Sequence, residues 1–141
     1  MRLWHQDLIP YLDRQHLLGQ HRECCALRGK GWGKKHATVD YVFKHEPCYL
    51  FLFHQFVLDE MYRRNYKIDR NWRRYRYRGK ALGVDDSLPH IYGWDKRCYT
   101  DTIYPEHDRA YLLECIDLLK KKNAPIDFER LEKELNIKGE K

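Results

Sequence analysis

Apolar residues recur at helical spacing in several blocks of this chain, separated by stretches rich in glycine, proline and charge. The first block runs from Pro10 to about Cys25. Proline suits the first turn of a helix. At 100° per residue, Leu17 and Cys24 then share a flank that a core can take. Gly29, Gly31 and Gly33 end this block in the basic stretch RGKGWGKK, which reads as a connector. Lys35 to Phe43 has room for a short second helix. Glu46–Pro47 opens the most apolar block, CYLFLFHQFVLDEMYRRNY, which should run through the core because its first half is apolar nearly all round. His54 lies inside it, where a hydrogen-bonded core histidine is the expected role. Pro105 begins PEHDRAYLLECIDLLKKK, with acids first and lysines last as the helix dipole prefers, and with Leu112, Cys115 and Leu119 on its inner side. Asp127 caps a final stretch, FERLEKELN, ahead of a frayed GEK tail. The pattern predicts a mostly α-helical fold, one domain over residues 1–141 with four to five helices.

Lys67 to Thr102 has no clear period and reads as an irregular basic-aromatic insertion. The chain carries a net charge of +6 over 141 residues. Lys67 to Lys80 holds seven basic residues against Asp69 alone, so this segment accounts for the whole excess. Here Trp72, Tyr75 and Tyr77 interleave with Arg73, Arg74 and Arg76. Stacking planes beside cations suit nucleic acid, although the alternation also fits a charged edge hairpin. A concentrated positive field favours a phosphate-bearing partner over a small neutral metabolite.

Five cysteines with no CxxC pair give neither a disulfide framework nor a zinc site. GKGWG is not a phosphate-cradling loop of known spacing. With no signal-peptide core and no apolar run of the ~20 residues a span needs, a cytoplasmic monomer without metal or organic cofactor is expected.

Leu12 to Arg28, LDRQHLLGQHRECCALR, carries the most informative surface. On a helix, His16, Gly19 and Glu23 form one strip, flanked by Gln15 and Arg22. An interior glycine costs roughly 1 kcal/mol against alanine, and close approach of something large is the usual compensation.

With Arg22–Glu23 in place, LxxQHLxxxxRE (Leu12, Gln15, His16, Leu17, Arg22, Glu23) resembles the pyrimidine-dimer DNA glycosylase family typified by phage endonuclease V. IYPEH, Ile103 to His107, is similar to the turn before that family's last long helix. The resemblance implies a small helical bifunctional glycosylase and abasic-site lyase acting on damaged double-stranded DNA. Its nucleophile is the N-terminal α-amine, a position that falls on Met1, assisted by Glu23. Arg2, Gln15, His16 and Arg22 become DNA contacts. The family's second helix arginine falls on Ala26, so Arg28 takes that role. Trp72, Arg73, Arg74 and Arg76 stand in by composition for the family's aromatic-basic tail. The competing class is a basic helical DNA- or RNA-binding module without chemistry; a metal-dependent nuclease lacks a compact acidic set.

Overall fold

The computed structural model describes residues 2–35, 37–88 and 102–137. Met1, His36, residues 89–101 of the basic-aromatic insertion and residues 138–141 with the GEK tail lie outside these residues. Four α-helices are described: α1 (Arg14–Arg28), α2 (Pro47–Arg63), α3 (Arg109–Lys121) and α4 (Phe128–Glu134). Short 3-10 helices at Gln6–Tyr11, Asp40–Lys44 and Arg70–Arg73 connect them. The mostly helical expectation holds.

Local capping explains where the helices depart from the sequence reading. Pro10 lies inside the first 3-10 helix, not at the start of α1. Leu12 is extended, and the Asp13 carboxylate accepts from the His16 amide at 3.3 Å, so α1 starts at Arg14. A side-chain acceptor for an otherwise unpaired amide is a stronger start signal than proline alone. Asp108 does the same for α3, accepting from Tyr111 N at 2.9 Å, so the helix starts after the Pro105 turn. Asp127 caps α4 as expected. Where a short second helix was expected over Lys35 to Phe43, the described residues give a turn at 37–39 and then the 3-10 helix Asp40–Lys44.

α1 packs on α2, which runs through the core with Leu50, Phe53, Val57 and Leu58 at or near zero exposure. Burying a leucine or phenylalanine contributes roughly 1.5–3 kcal/mol. Leu17 and Cys24 of α1 face this core, as do Leu112, Cys115 and Leu119 of α3. Gly31 has a packing reason: a Cβ there would meet the Ala26 carbonyl oxygen at 2.7 Å. Its amide donates to that same oxygen, closing the end of α1 at 2.9 Å. RGKGWGKK is therefore a helix stop.

The IYPEH turn is interior. Ile103, Tyr104 and His107 are all buried. His107 Nδ1 accepts from Gln6 N at 3.1 Å, and its Nε2 meets the Tyr41 hydroxyl at 2.7 Å. Burial, with His5 stacked beside it, pushes the His107 imidazole down from 6.5 to about 3. The folded state holds this ring neutral while the unfolded chain takes up a proton below about 6.5. Stability is therefore complete above that value and declines by about 1.4 kcal/mol per pH unit from 6.5 towards 3. His5, His21 and His54 are shifted in the same direction by burial and add to the slope. Urea midpoints should fall between pH 7 and pH 4, with a shallower fall in His107→Phe; a flat profile would contradict the assignment.

Candidate active site

The polar strip of α1 forms one wall of a cleft of about 450 Å³. Gln15, His16, Gly19, Gln20, Arg22 and Glu23 line it from the helix, Arg2 and Trp4 from the N-terminal segment, and Thr38, Leu118 and Lys122 from elsewhere. The predicted helix-face residues and Arg2 are thus brought together, and the volume lies within the ~300–1,000 Å³ of ligand sites. Asp13 fixes His16 twice, through the backbone cap and through a 2.7 Å contact with Nδ1. The imidazole meets the Trp4 indole edge-on at 5.8 Å. A Cβ at Gly19 would meet nothing closer than the Arg22 guanidinium at 3.8 Å. The fold itself has no need of a glycine there, and the space it leaves belongs to the cleft.

A second wall is the N-terminal segment, residues 2–6, which is tied down at several points. Trp4 N donates to Gln20 Oε1 at 2.6 Å, and Gln20 Nε2 donates to the Arg2 carbonyl at 3.1 Å. The Tyr111 hydroxyl donates to Leu3 O at 2.5 Å. Ile103 N donates to Gln6 Oε1 at 2.8 Å. Arg2 pairs with Glu114 at 3.1 Å and lies over the Trp4 and Tyr111 rings. Residues 2–6 are therefore fixed from α1, from the IYPEH turn and from α3.

The basic-aromatic segment lies elsewhere. Arg28 and Gly19 are nine residues apart, about 180° around the helix, so α1 stands between the cleft and this segment. Arg28 is buried, which corrects its expected place among the DNA contacts. Its guanidinium donates to the Trp72, Arg74 and Tyr77 carbonyls at 2.8, 2.8 and 3.2 Å. Burial lowers it to about 10, so it stays charged at neutral pH. Trp72 is 9% exposed and packs against Arg28, His54 and Tyr77, which removes it as a surface stacking plane. Arg73 is tied to Gln55 and Asp59, and Arg76 reaches Leu88 O, while Arg74 is exposed. The hairpin expectation survives as one antiparallel bridge, Tyr77 to Val84.

His54 is the hydrogen-bonded core histidine expected. Arg28 can only donate, so His54 Nδ1 accepts from it at 2.9 Å and Nε2 carries the proton towards His21 Nδ1, also at 2.9 Å. Cys25 Sγ lies 3.6 Å from His21 Nε2. Ligand atoms of His21, Cys25 and His54 lie within 4.8 Å of one another, the spacing of a metal site. The second shell does not fit. A metal-bound imidazole donates its other N–H outward, whereas here that nitrogen faces a guanidinium donor. Burial also pushes the Cys25 thiol up to about 12. These atoms form a hydrogen-bond chain joining α1, α2 and the segment after Asp69.

A sequence model of pyrimidine dimer DNA glycosylases matches residues 1–74, just over half of the chain. The chain belongs to that family. No curated protein and no solved structure matches it. Family membership makes it a DNA repair glycosylase in kind, with damaged DNA as partner. The glycosylase match covers the α1 wall, the N-terminal segment and, of the carbonyls held by Arg28, those of Trp72 and Arg74. The α3 side of the cleft, Leu118 and Lys122, lies beyond it. Sequence reasoning missed Trp4, Gln20, Thr38, Leu118 and Lys122 as cleft residues. For Gln20 the only signal in the sequence is its place directly after Gly19; its burial against backbone from residues 2–4 shows only in the structure.

Proposed function

We propose that this glycosylase couples base removal to abasic-site lyase chemistry, with the α-amine of Met1 as nucleophile and Glu23 as its carboxylate partner. The observation that supports this best is the cleft, where the N-terminal segment and Glu23 line the same space. An α-amine titrates near 7.7–8.0, so a useful fraction is neutral and nucleophilic at pH 7. It attacks C1′ of the damaged nucleotide, the base or water departs, and an imine forms. Loss of a C2′ proton then breaks the C3′–O bond, and the 3′ phosphate leaves with the electron pair. Glu23 stabilises the positive charge on the sugar and carries protons. Arg2 and Arg22 supply positive charge for the backbone phosphates, with Gln15 and His16 on the sugar side. None of these steps needs a metal or organic cofactor.

The test is borohydride trapping on a duplex with one abasic site. Wild type should give a covalent adduct, and a form with one residue added before Met1 should give none while still binding. An adduct from the extended form would exclude the α-amine. Binding without any adduct from wild type would favour a non-catalytic DNA-binding module.

A further inference from the structure

We infer that Gln20 is a positioning residue, whose side-chain amide sets the register of the N-terminal segment against α1 and so delivers the chain's first residue to Glu23. The inference rests on the proposed α-amine chemistry and adds a requirement to it.

Gln20 is 2% exposed in the middle of an amphipathic helix, a costly place for an amide without partners. It has two, both backbone groups of the same segment. Its Oε1 takes the Trp4 amide at 2.6 Å and its Nε2 gives to the Arg2 carbonyl at 3.1 Å. One planar group thus imitates a neighbouring β-strand. Its orientation is unambiguous, because the flipped amide would set oxygen against the Arg2 oxygen and N–H against the Trp4 N–H. The other ties on this segment, Arg2 to Glu114, Tyr111 to Leu3 O, and Ile103 N and His107 to Gln6, are made on the side of α3 and the IYPEH turn. Gln20 makes two hydrogen bonds that join this segment to α1. It lies one turn before Glu23 on that helix, with both residues lining the cleft. The donor prong ends on the carbonyl of Arg2, whose amide is bonded to residue 1. Losing that prong releases the backbone at Arg2 from α1, while the Arg2 side chain keeps Glu114 and the anchors farther along stay in place.

Two variants separate positioning from folding. Gln20→Met keeps length and removes both prongs; Gln20→Glu keeps the acceptor for Trp4 N and sets a carboxylate against the Arg2 oxygen. A displacement of ~1 Å at a reacting group costs about 10²-fold. The single-turnover trapping rate on abasic duplex at saturating protein should fall about 30- to 100-fold in Gln20→Met and at least ~10-fold in Gln20→Glu. Affinity for a duplex bearing a tetrahydrofuran abasic analogue should stay within about 3-fold, because no DNA contact is removed. The trapping end point should match wild type, since the surviving molecules are all competent but slow. A purely structural role would lower the end point and leave the rate of the folded fraction intact. The Gln20→Glu deficit should also narrow towards about pH 5, where partial protonation restores an O–H donor for the Arg2 carbonyl. Wild-type rates in either soluble variant overturn the inference while the α-amine reading stands. Absence of an adduct from wild type overturns both.

Discussion

Glu23→Gln is expected to reduce single-turnover cleavage of abasic and dimer-containing duplex by 10²- to 10⁴-fold, about 3–5 kcal/mol of barrier. Binding of the same duplexes should be unchanged or tighter, because the substitution removes a negative charge from a cleft proposed to receive the DNA backbone. Glutamine preserves the volume and one acceptor, so fold and cleft shape should persist. It cannot carry a proton between the amine and the sugar, nor hold a full charge against the iminium. The split between affinity and rate is the informative result. Equal loss of both would make Glu23 a structural carboxylate paired within the helix, and retained cleavage would remove it from the mechanism. Quenched-flow cleavage with fluorescence anisotropy on the same duplexes checks this.

Arg28→Met is expected to be among the most destabilising single changes, at roughly 3–5 kcal/mol. Methionine fills much of the volume, so the cost is chiefly electrostatic. Carbonyls of Trp72, Arg74 and Tyr77 lose their donor, and His54 Nδ1 loses the bond that sets its tautomer. Each buried acceptor left unmatched costs about 1–3 kcal/mol, with water recovering part of it. The loss should be local first: amide exchange in residues 72–78 should rise before α1 or α2 loosens. Burial of His54 beside this cation also holds its imidazole below the usual range, and removing the cation should allow that ring to titrate higher. Urea denaturation with hydrogen exchange provides the check, and a change below about 0.5 kcal/mol with unaltered protection would refute the role.

The α1 face of the cleft was legible because helical periodicity alone puts Gln15, His16, Gly19, Arg22 and Glu23 together. The inner faces of α2 and α3 were legible for the same reason. Arg28 was misplaced because an arginine near a helix end is ordinarily a surface cation; nothing local shows that three carbonyls from residues 72–77 will converge on it. Trp72 was misplaced likewise, since composition records an aromatic among arginines but not which side of it is covered. Lys122 and Leu118 reach the cleft only through the docking of α3, a relation between segments nearly a hundred residues apart. Helix starts failed at Pro10 and Pro105 because both prolines sit in turns just upstream, while Asp13 and Asp108 supply the caps.

The fastening of the N-terminal segment also fixes when the site can exist. Its ties to Ile103, Tyr111 and Glu114 span 97, 108 and 112 residues of chain. At roughly 5–20 residues per second of synthesis, the segment leaves the ribosome about 5–20 s before its partners are made. Contacts of such separation also carry a large loop-closure cost and form late. A nascent chain that already contains α1 and Glu23 therefore has one wall of the cleft without residues 2–6 fastened beside it, so assembly of the cleft waits for α3.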